Sequence, residues 1–119
     1  MRDNSETLEE LGRRVAEART YLRIDQAREE MTQLESRAAS PDLWNDQDEA
    51  RKITSRLANV RDDIERWEKV NSEVDDATTL DSLAREEKDE SLTEEIDIAI
   101  SSISKELDDI ELLALFNGE

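Results

Sequence analysis

The regular spacing of apolar residues in the last third of the chain constrains the fold most. Apolar residues recur there in steps of four, three, four, three and four: Ile96, Ile100, Ile103, Leu107, Ile110 and Ala114. This alternation is typical of a helix that packs at a shallow angle against neighbouring helices. Ser91 and Glu94 fit a capping box that starts the helix near residue 92, and Asn117-Gly118 fits a left-handed stop after about residue 115. We therefore predict a long helix in this region.

The middle of the chain repeats the same pattern. Its apolar positions are Ile53, Leu57, Val60, Ile64 and Trp67, with Val74 one heptad further on. Asn45 is a suitable N-cap, which predicts a helix over about 46–74. Asn71 falls on the next apolar position, where it either is buried and fixes the register or lies in water at a frayed end.

The first third contains two apolar series that do not share one register. Their members are Leu8, Leu11, Val15, Ala18 and Leu22, and then Ile24, Ala27, Met31, Leu34 and Ala38. Because the phase slips by two residues, one straight helix could not bury both series. The slip predicts a kink or break near residues 22–25, with Asp25 as a plausible N-cap of the second piece.

Residues 75–90 carry the weakest pattern, which predicts a short, loosely packed helix at about 79–88. Across the chain, 41% of residues are charged, 3% are aromatic and two are glycines. This composition disfavours a β-protein. We predict an all-α fold in one domain over residues 1–119: an antiparallel, coiled-coil-like bundle of three long helical arms, the first kinked near 22–25, plus the short helix.

Charge and residue types exclude several function classes. The net charge is −17, and residues 75–119 hold 15 acidic and 3 basic groups, which argues against strong direct binding of nucleic acid. The acidic region could instead steer a basic partner or keep the protein soluble. Without cysteine or histidine, the chain has no thiol chemistry, no Ser-His or Cys-His pair and no ordinary di-iron set, and its carboxylates are expected to be exposed. We expect no enzyme activity, metal or cofactor, no membrane association, and a cytoplasmic location.

The stretch SPDLWND, residues 40–46, interrupts the helical pattern. It contains the only proline and one of two tryptophans. Pro41 restricts Ser40 to an extended conformation, so the preceding helix must end by residue 39. Ser40 can cap a short helical turn that Pro41 opens. Leu43 and Trp44 are then expected to fold back as an apolar plug on the bundle; the alternative is that Trp44 anchors a partner at the surface.

These residues resemble the first domain of bacterial class-I peptide chain release factors. The resemblance rests on Pro41-Asp42-Leu43-Trp44-Asn45, followed by the charged helix that opens DEARKITSRLANVRDDIE, on YLRIDQAREEM at 21–31, and on the end Leu115-Phe116-Asn117-Gly118-Glu119. Within the family it points to the release factor 2 group, which reads UGA and UAA stop codons. It implies that residues 41–45 form a structural joint and that Phe116, Gly118 and Glu119 lie at a joint between domains.

The family's catalytic tripeptide Gly-Gly-Gln and its codon-reading Ser-Pro-Phe do not occur in this sequence. The resemblance therefore implies a ribosome-docking domain that does not itself catalyse peptidyl-tRNA hydrolysis. Its implied partners are the ribosomal stalk base and the GTPase release factor that recycles the complex. The alternative from the residues alone is a structural helical repeat of the spectrin type, since heptads and a seam tryptophan also suit that class.

Overall fold

The computed structural model describes residues 4–116 of the chain, and these residues are almost entirely helical. The elements are α1 (Ser5–Tyr21), α2 (Ile24–Ala38), a 3-10 turn (Pro41–Asn45), α3 (Gln47–Glu86), a second 3-10 turn (Glu90–Leu92) and α4 (Thr93–Phe116). No strand occurs among the described residues. The predicted all-α fold is confirmed, with α1 and α2 as the two pieces of the kinked first arm.

Helix α3 sets the length of the molecule. It spans 40 residues, or about 60 Å at roughly 1.5 Å per residue, and the longest dimension of the fold is 63 Å. The predicted end at residue 74 and the separate helix at 79–88 are both wrong. No glycine or proline interrupts residues 47–86, and burial continues through Val74, Ala77, Asp81 and Ala84. The sequence pattern did not predict this continuation, because the buried positions after Val74 hold the small residues Ala77 and Ala84 and the acidic Asp81.

The buried apolar residues form two clusters along α3. The three-helix segment, in which α1, α4 and residues 67–86 of α3 pack together, contains the larger cluster. The two-helix segment, formed by α2 and residues 47–64 of α3, contains the smaller one: Leu34, Leu57, Val60 and Ile64. Within residues 4–116, α4 does not contact α2. The bundle therefore changes from three helices to two part-way along α3.

The break between α1 and α2 lies where the phase slip predicts it. Arg23 adopts a left-handed conformation, with φ 55° and ψ 49°. Its N–H donates to the carbonyl of Thr20 at 3.1 Å, and its own carbonyl accepts from the N–H of Ala27 at 2.8 Å. Arg23, not Asp25, therefore occupies the N-cap position of α2. Asp25 lies in the first turn and accepts a hydrogen bond from Arg19 at 2.8 Å.

Two further predictions about the residues that cap helices need correction. The N-cap of α3 is Asp46, which accepts from the N–H of Glu49 at 3.1 Å, and not Asn45. The turn before α4 is held by Asp89, which accepts from the N–H of Ser91 at 2.9 Å, in place of the predicted Ser91–Glu94 box. Helix α4 begins at Thr93, one residue from the prediction, while Asn117-Gly118 lies outside the described residues.

The position predicted for Asn71 on the buried face of α3 is taken by Val70, which is almost fully buried. Asn71 is half-buried at the edge of that face. Both interpretations of Asn71 are therefore wrong: it neither enters the core nor marks a frayed end. The apolar face of α3 shifts by one residue at Trp67, which is where the helix passes from α2 to α1 as its main neighbour.

Candidate docking site

The five residues Pro41–Asn45 form one 3-10 turn at the tip of the two-helix segment. Helix α2 ends at Ala38, and Ser40 has extended angles of φ −76° and ψ 125° because proline excludes helical ones from the residue before it. Pro41 opens the turn, as expected for the first helical position. The predicted joint residues are thus brought together in one compact connection between α2 and α3.

The two large apolar residues of this turn have different environments. Leu43 is buried, whereas Trp44 is 58% exposed. The indole Nε1 of Trp44 donates a hydrogen bond to the carbonyl of Ala38 at 3.2 Å, which satisfies one of the free carbonyls at the end of α2. The prediction of a two-residue plug is therefore right for Leu43 and wrong for Trp44. The indole ring lies at the surface, where it is available to a partner.

A shallow, charged depression adjoins the turn. Its lining residues are Ser36, Arg37, Ser40, Asp42, Leu43, Asp46 and Glu49. The guanidinium of Arg37 donates to Glu49 at 3.3 Å across it, which links α2 to the first turns of α3. An exposed aromatic ring beside polar and charged groups is typical of a protein–protein contact and unlike a closed catalytic pocket.

The second predicted joint lies at the end of α4, away from the turn. Phe116 is 80% exposed and Leu115 is 72% exposed. Within residues 4–116, α4 makes no contact with the turn at Pro41–Asn45, so the two sets of predicted site residues are separate surfaces. Gly118 and Glu119 lie outside the described residues.

Helix α4 is fixed to α1 by one arginine. Arg14 Nε donates to Glu111 at 3.0 Å, and Arg14 Nη2 donates to Glu111 and to Asp108, each at 2.8 Å. The hydrogen bond to Glu111 is the main cause that raises the pKa of Arg14. This bidentate pairing stabilises the parallel arrangement of α1 and α4. Sequence inspection missed it, since Arg14 lies between apolar positions and has partners more than 90 residues away.

Within the described part of the chain, no group of three or more acidic side chains is placed to hold a metal ion. No helix of residues 4–116 is long and apolar enough to cross a membrane. Tyr21 has a hydroxyl that is buried without a hydrogen-bond partner, and burial raises its pKa, which makes it a poor acid or base near neutral pH.

Comparison with known proteins decides the family. The PCRF domain family matches residues 27–118. The chain belongs to this family. Over 117 residues and 98% of its length, this PCRF chain is 33% identical to peptide chain release factor 2 of Salinispora tropica, 32% to that of Streptomyces avermitilis and 36% to that of Acidothermus cellulolyticus. The resemblance to release factors seen in the sequence is thereby confirmed.

The PCRF chain spans about a third of the length of these relatives, with 31% of the Salinispora protein and 32% of the other two covered. The family match begins inside α2, so α1 lies outside it, although the individual relatives align over nearly the whole chain. The turn at Pro41–Asn45 and residues Phe116 and Gly118 fall within the range matched by the family, which ends one residue before Glu119. The match therefore supports a domain of a translation termination factor.

Proposed function

We propose that residues 1–119 form one domain that docks a translation termination factor on the ribosome, in a factor acting at UGA and UAA stop codons. The observation that carries this proposal is the PCRF match over residues 27–118 together with relatives named peptide chain release factor 2. The codon range follows from the likeness to that group. A cytoplasmic location follows from the same likeness.

The residue types and motifs of this sequence support docking without catalysis. Neither Gly-Gly-Gln nor Ser-Pro-Phe occurs in the sequence, and it has no histidine or cysteine. Codon reading and peptidyl-tRNA hydrolysis would then belong to the part of the relatives that this chain does not cover. The spectrin-like alternative has no comparable support from the comparisons.

The partner we favour is protein at the ribosomal stalk base, with the recycling GTPase factor as a second. A chain of net charge −17 is repelled by ribosomal RNA, so its contacts are more favourable with ribosomal protein. Trp44 is the natural anchor, since exposed tryptophan is enriched among the residues that dominate binding energy. Its turn lies at the tip of an elongated bundle, where a partner can reach it.

The test uses a chimera in which this chain replaces the corresponding region of the Salinispora release factor 2. A photo-crosslinker at position 44 should label stalk-base proteins on ribosomes stopped at UGA. The matched control is the crosslinker at Ile98, another exposed apolar residue, which should label them weakly. Equal labelling from both positions, or labelling of other ribosomal regions only, would contradict the proposed docking.

Activity provides the second readout. The chimera should release peptide at UGA and UAA, read by its Salinispora part, if the factor accepts this chain as its domain. Trp44→Ala should weaken its ribosome binding about tenfold, as expected for an interface anchor. The isolated 119-residue chain should release no peptide at any stop codon. Release by the isolated chain would overturn the assignment of catalysis to other parts of the factor.

A further inference from the structure

A groove runs between α3 and α4 in the three-helix segment. Every residue lining it belongs to one of these two helices: Asp62, Glu65, Arg66 and Lys69 on α3, and Glu106, Asp109, Leu112 and Leu113 on α4. The residues of α3 that face α1 are different ones, since Trp67 Nε1 donates to the carbonyl of Val15 at 3.0 Å. The groove is therefore a side of the α3–α4 pair that α1 does not cover.

The C-terminal end of α4, where Leu112 and Leu113 line the groove, carries most of the exposed large hydrophobic residues of the described surface. Of the seven large hydrophobic residues exposed in residues 4–116, four lie in the last five positions of α4: Leu112, Leu113, Leu115 and Phe116. The other three, Trp44, Leu83 and Ile98, are scattered singly. Scattered apolar residues need no explanation, whereas a contiguous exposed group marks an interaction surface.

The walls of the groove are acidic. Four carboxylates line it against two basic groups, and one of these, Lys69, already donates to Glu106 and, at 2.9 Å, to Glu73. Asp62 and Glu65 are exposed on the α3 wall, and Asp109 is exposed on the α4 wall. A partner that fills this groove must therefore present apolar groups toward Leu112 and Leu113 and positive groups toward both walls.

Charge also indicates which of two partners fits the groove better, a second copy of this chain or a basic protein. A second copy of this chain would bring the same acidic walls against each other, and like charges at close range are destabilising. A basic partner would gain attraction from the same groups. The groove between two nearly antiparallel helices has the shape that accepts a third helix along its length, with anchors at i, i+3, i+4 and i+7.

We propose that the α3–α4 groove binds a basic amphipathic helix of another protein. The apolar face of that helix packs on Leu112 and Leu113, and its flanking Lys or Arg side chains pair with Asp62, Glu65 and Asp109. This surface is distinct from the turn at Trp44, and the inference does not rest on the proposed ribosome docking.

The probe is a fluorescent 18-residue Leu/Lys peptide with helical spacing, titrated into the 119-residue chain, with a Leu/Glu peptide of the same length as control. We expect saturable binding of the Leu/Lys peptide only, weakening as salt is added. Amide shifts in the NMR spectrum should concentrate at residues 62–69 and 106–116. Shifts spread over the acidic residues 75–97 instead would overturn the proposal.

Matched variants separate the groove from general acidity. Leu112→Ser with Leu113→Ser should weaken binding about tenfold, while Ile98→Ser, an exposed residue of the same helix, should change it less than about twofold. Asp62→Asn with Glu65→Gln should weaken binding several-fold. Asp75→Asn with Asp76→Asn removes the same charge from exposed positions of α3 and should have little effect.

Two results would refute the inference directly. Equal weakening by the groove pair and the Asp75/Asp76 pair would show that the peptide responds only to net charge. A concentration-dependent dimer in sedimentation that the Leu112/Leu113 variant abolishes would show that a second copy occupies the groove. Circular dichroism of each variant establishes that the helices are intact.

Discussion

In the three-helix segment α3 is covered by both α1 and α4, whereas in the two-helix segment α2 alone covers it. The first arrangement buries Ile103 and Leu107 completely, while Leu34, which α2 contributes to the smaller cluster, keeps 9% of its surface exposed. The neighbours of Leu34 on α2, Ala27, Met31 and Ala38, are only half-buried. The same heptad spacing thus produces different burial, because burial depends on how many helices surround a position.

The two-helix segment combines its smaller core with ion pairs between its two helices. Arg56 donates to Glu30 at 2.7 Å, Arg61 to Glu35 at 2.8 Å and Arg28 to Glu68 at 3.1 Å, all between α2 and α3. Such exposed pairs contribute about 0–1 kcal/mol each, whereas burying one large apolar side chain contributes roughly 1.5–3 kcal/mol. We therefore expect the two-helix segment to be the less stable part.

The two tryptophans test this comparison most strongly. Trp67 is 5% exposed, donates to Val15 and has the guanidinium groups of Arg19 and Arg28 each 5.6 Å from its ring centre. Trp67→Ala should lower the free energy of unfolding by roughly 3–5 kcal/mol. Trp44→Ala removes one exposed hydrogen bond and should cost about 1 kcal/mol or less. Urea denaturation measures both; similar losses would contradict the described environments.

Matched leucines compare the two cores directly. Leu107→Ala in the three-helix segment should cost about 3–5 kcal/mol and Leu34→Ala in the two-helix segment about 2 kcal/mol, because a cavity beside water collapses or fills more easily. Native-state hydrogen exchange adds a local readout, in which amides of α2 should exchange faster than those of α1 and α4. A larger loss from Leu34→Ala would reverse the ranking of the segments.

The break where the two segments meet offers a stabilising change. Arg23 and Lys88 both have φ 55°, a conformation that costs L-residues about 1 kcal/mol and glycine almost nothing. Arg23→Gly should therefore raise the free energy of unfolding by about 0.5 kcal/mol after the entropy of glycine in the unfolded chain is subtracted. Glu29→Gly, at an exposed right-handed position of α2, should instead lose about 1 kcal/mol. In thermal denaturation, Arg23→Gly should raise the melting temperature and Glu29→Gly should lower it.

The smallest expected effect concerns the ion pairs of the two-helix segment. The hydrogen bond from Arg56 lowers the pKa of Glu30 below its ordinary value of 4.5. The pair therefore stabilises the fold above about pH 4.5, and its contribution disappears as the pH falls through the lowered pKa. Glu30→Gln should cost less than about 1 kcal/mol at pH 7 and nothing at pH 2. A loss that persists at pH 2 would point to packing of Glu30.

The features that the sequence predicted well are those set by near neighbours in the chain. The phase slip at residues 22–24 located the break, although the residue that makes it, Arg23, is not the glycine usually found in that conformation. Pro41 located the end of α2 because its ring acts on the residue before it. The residues Pro41–Asn45 were recognised both as a connection and as the best likeness to release factors.

The failures share a cause, which is that the sequence does not show which helix faces which. Helix α3 continues past residue 74, where Ala77 packs in the core with residues of α1 and α4 and Ala84 is also buried. The small side chains of these residues contributed only to a weak apolar pattern. The acidic groove was missed for the same reason, since even the nearest residues of its two walls, Lys69 and Glu106, are 37 residues apart in the chain.

The sequence alone thus determined the helical class, the break and the family, because helix period, proline sterics and a short characteristic stretch act locally. Only the tertiary structure decided the fates of the two tryptophans. Trp67 meets α1 and is buried, while Trp44 lies at the two-helix end, where no third helix of residues 4–116 covers it. The burial of a side chain depends on the residues packed around it, and in this fold those residues come from segments that are distant in the chain.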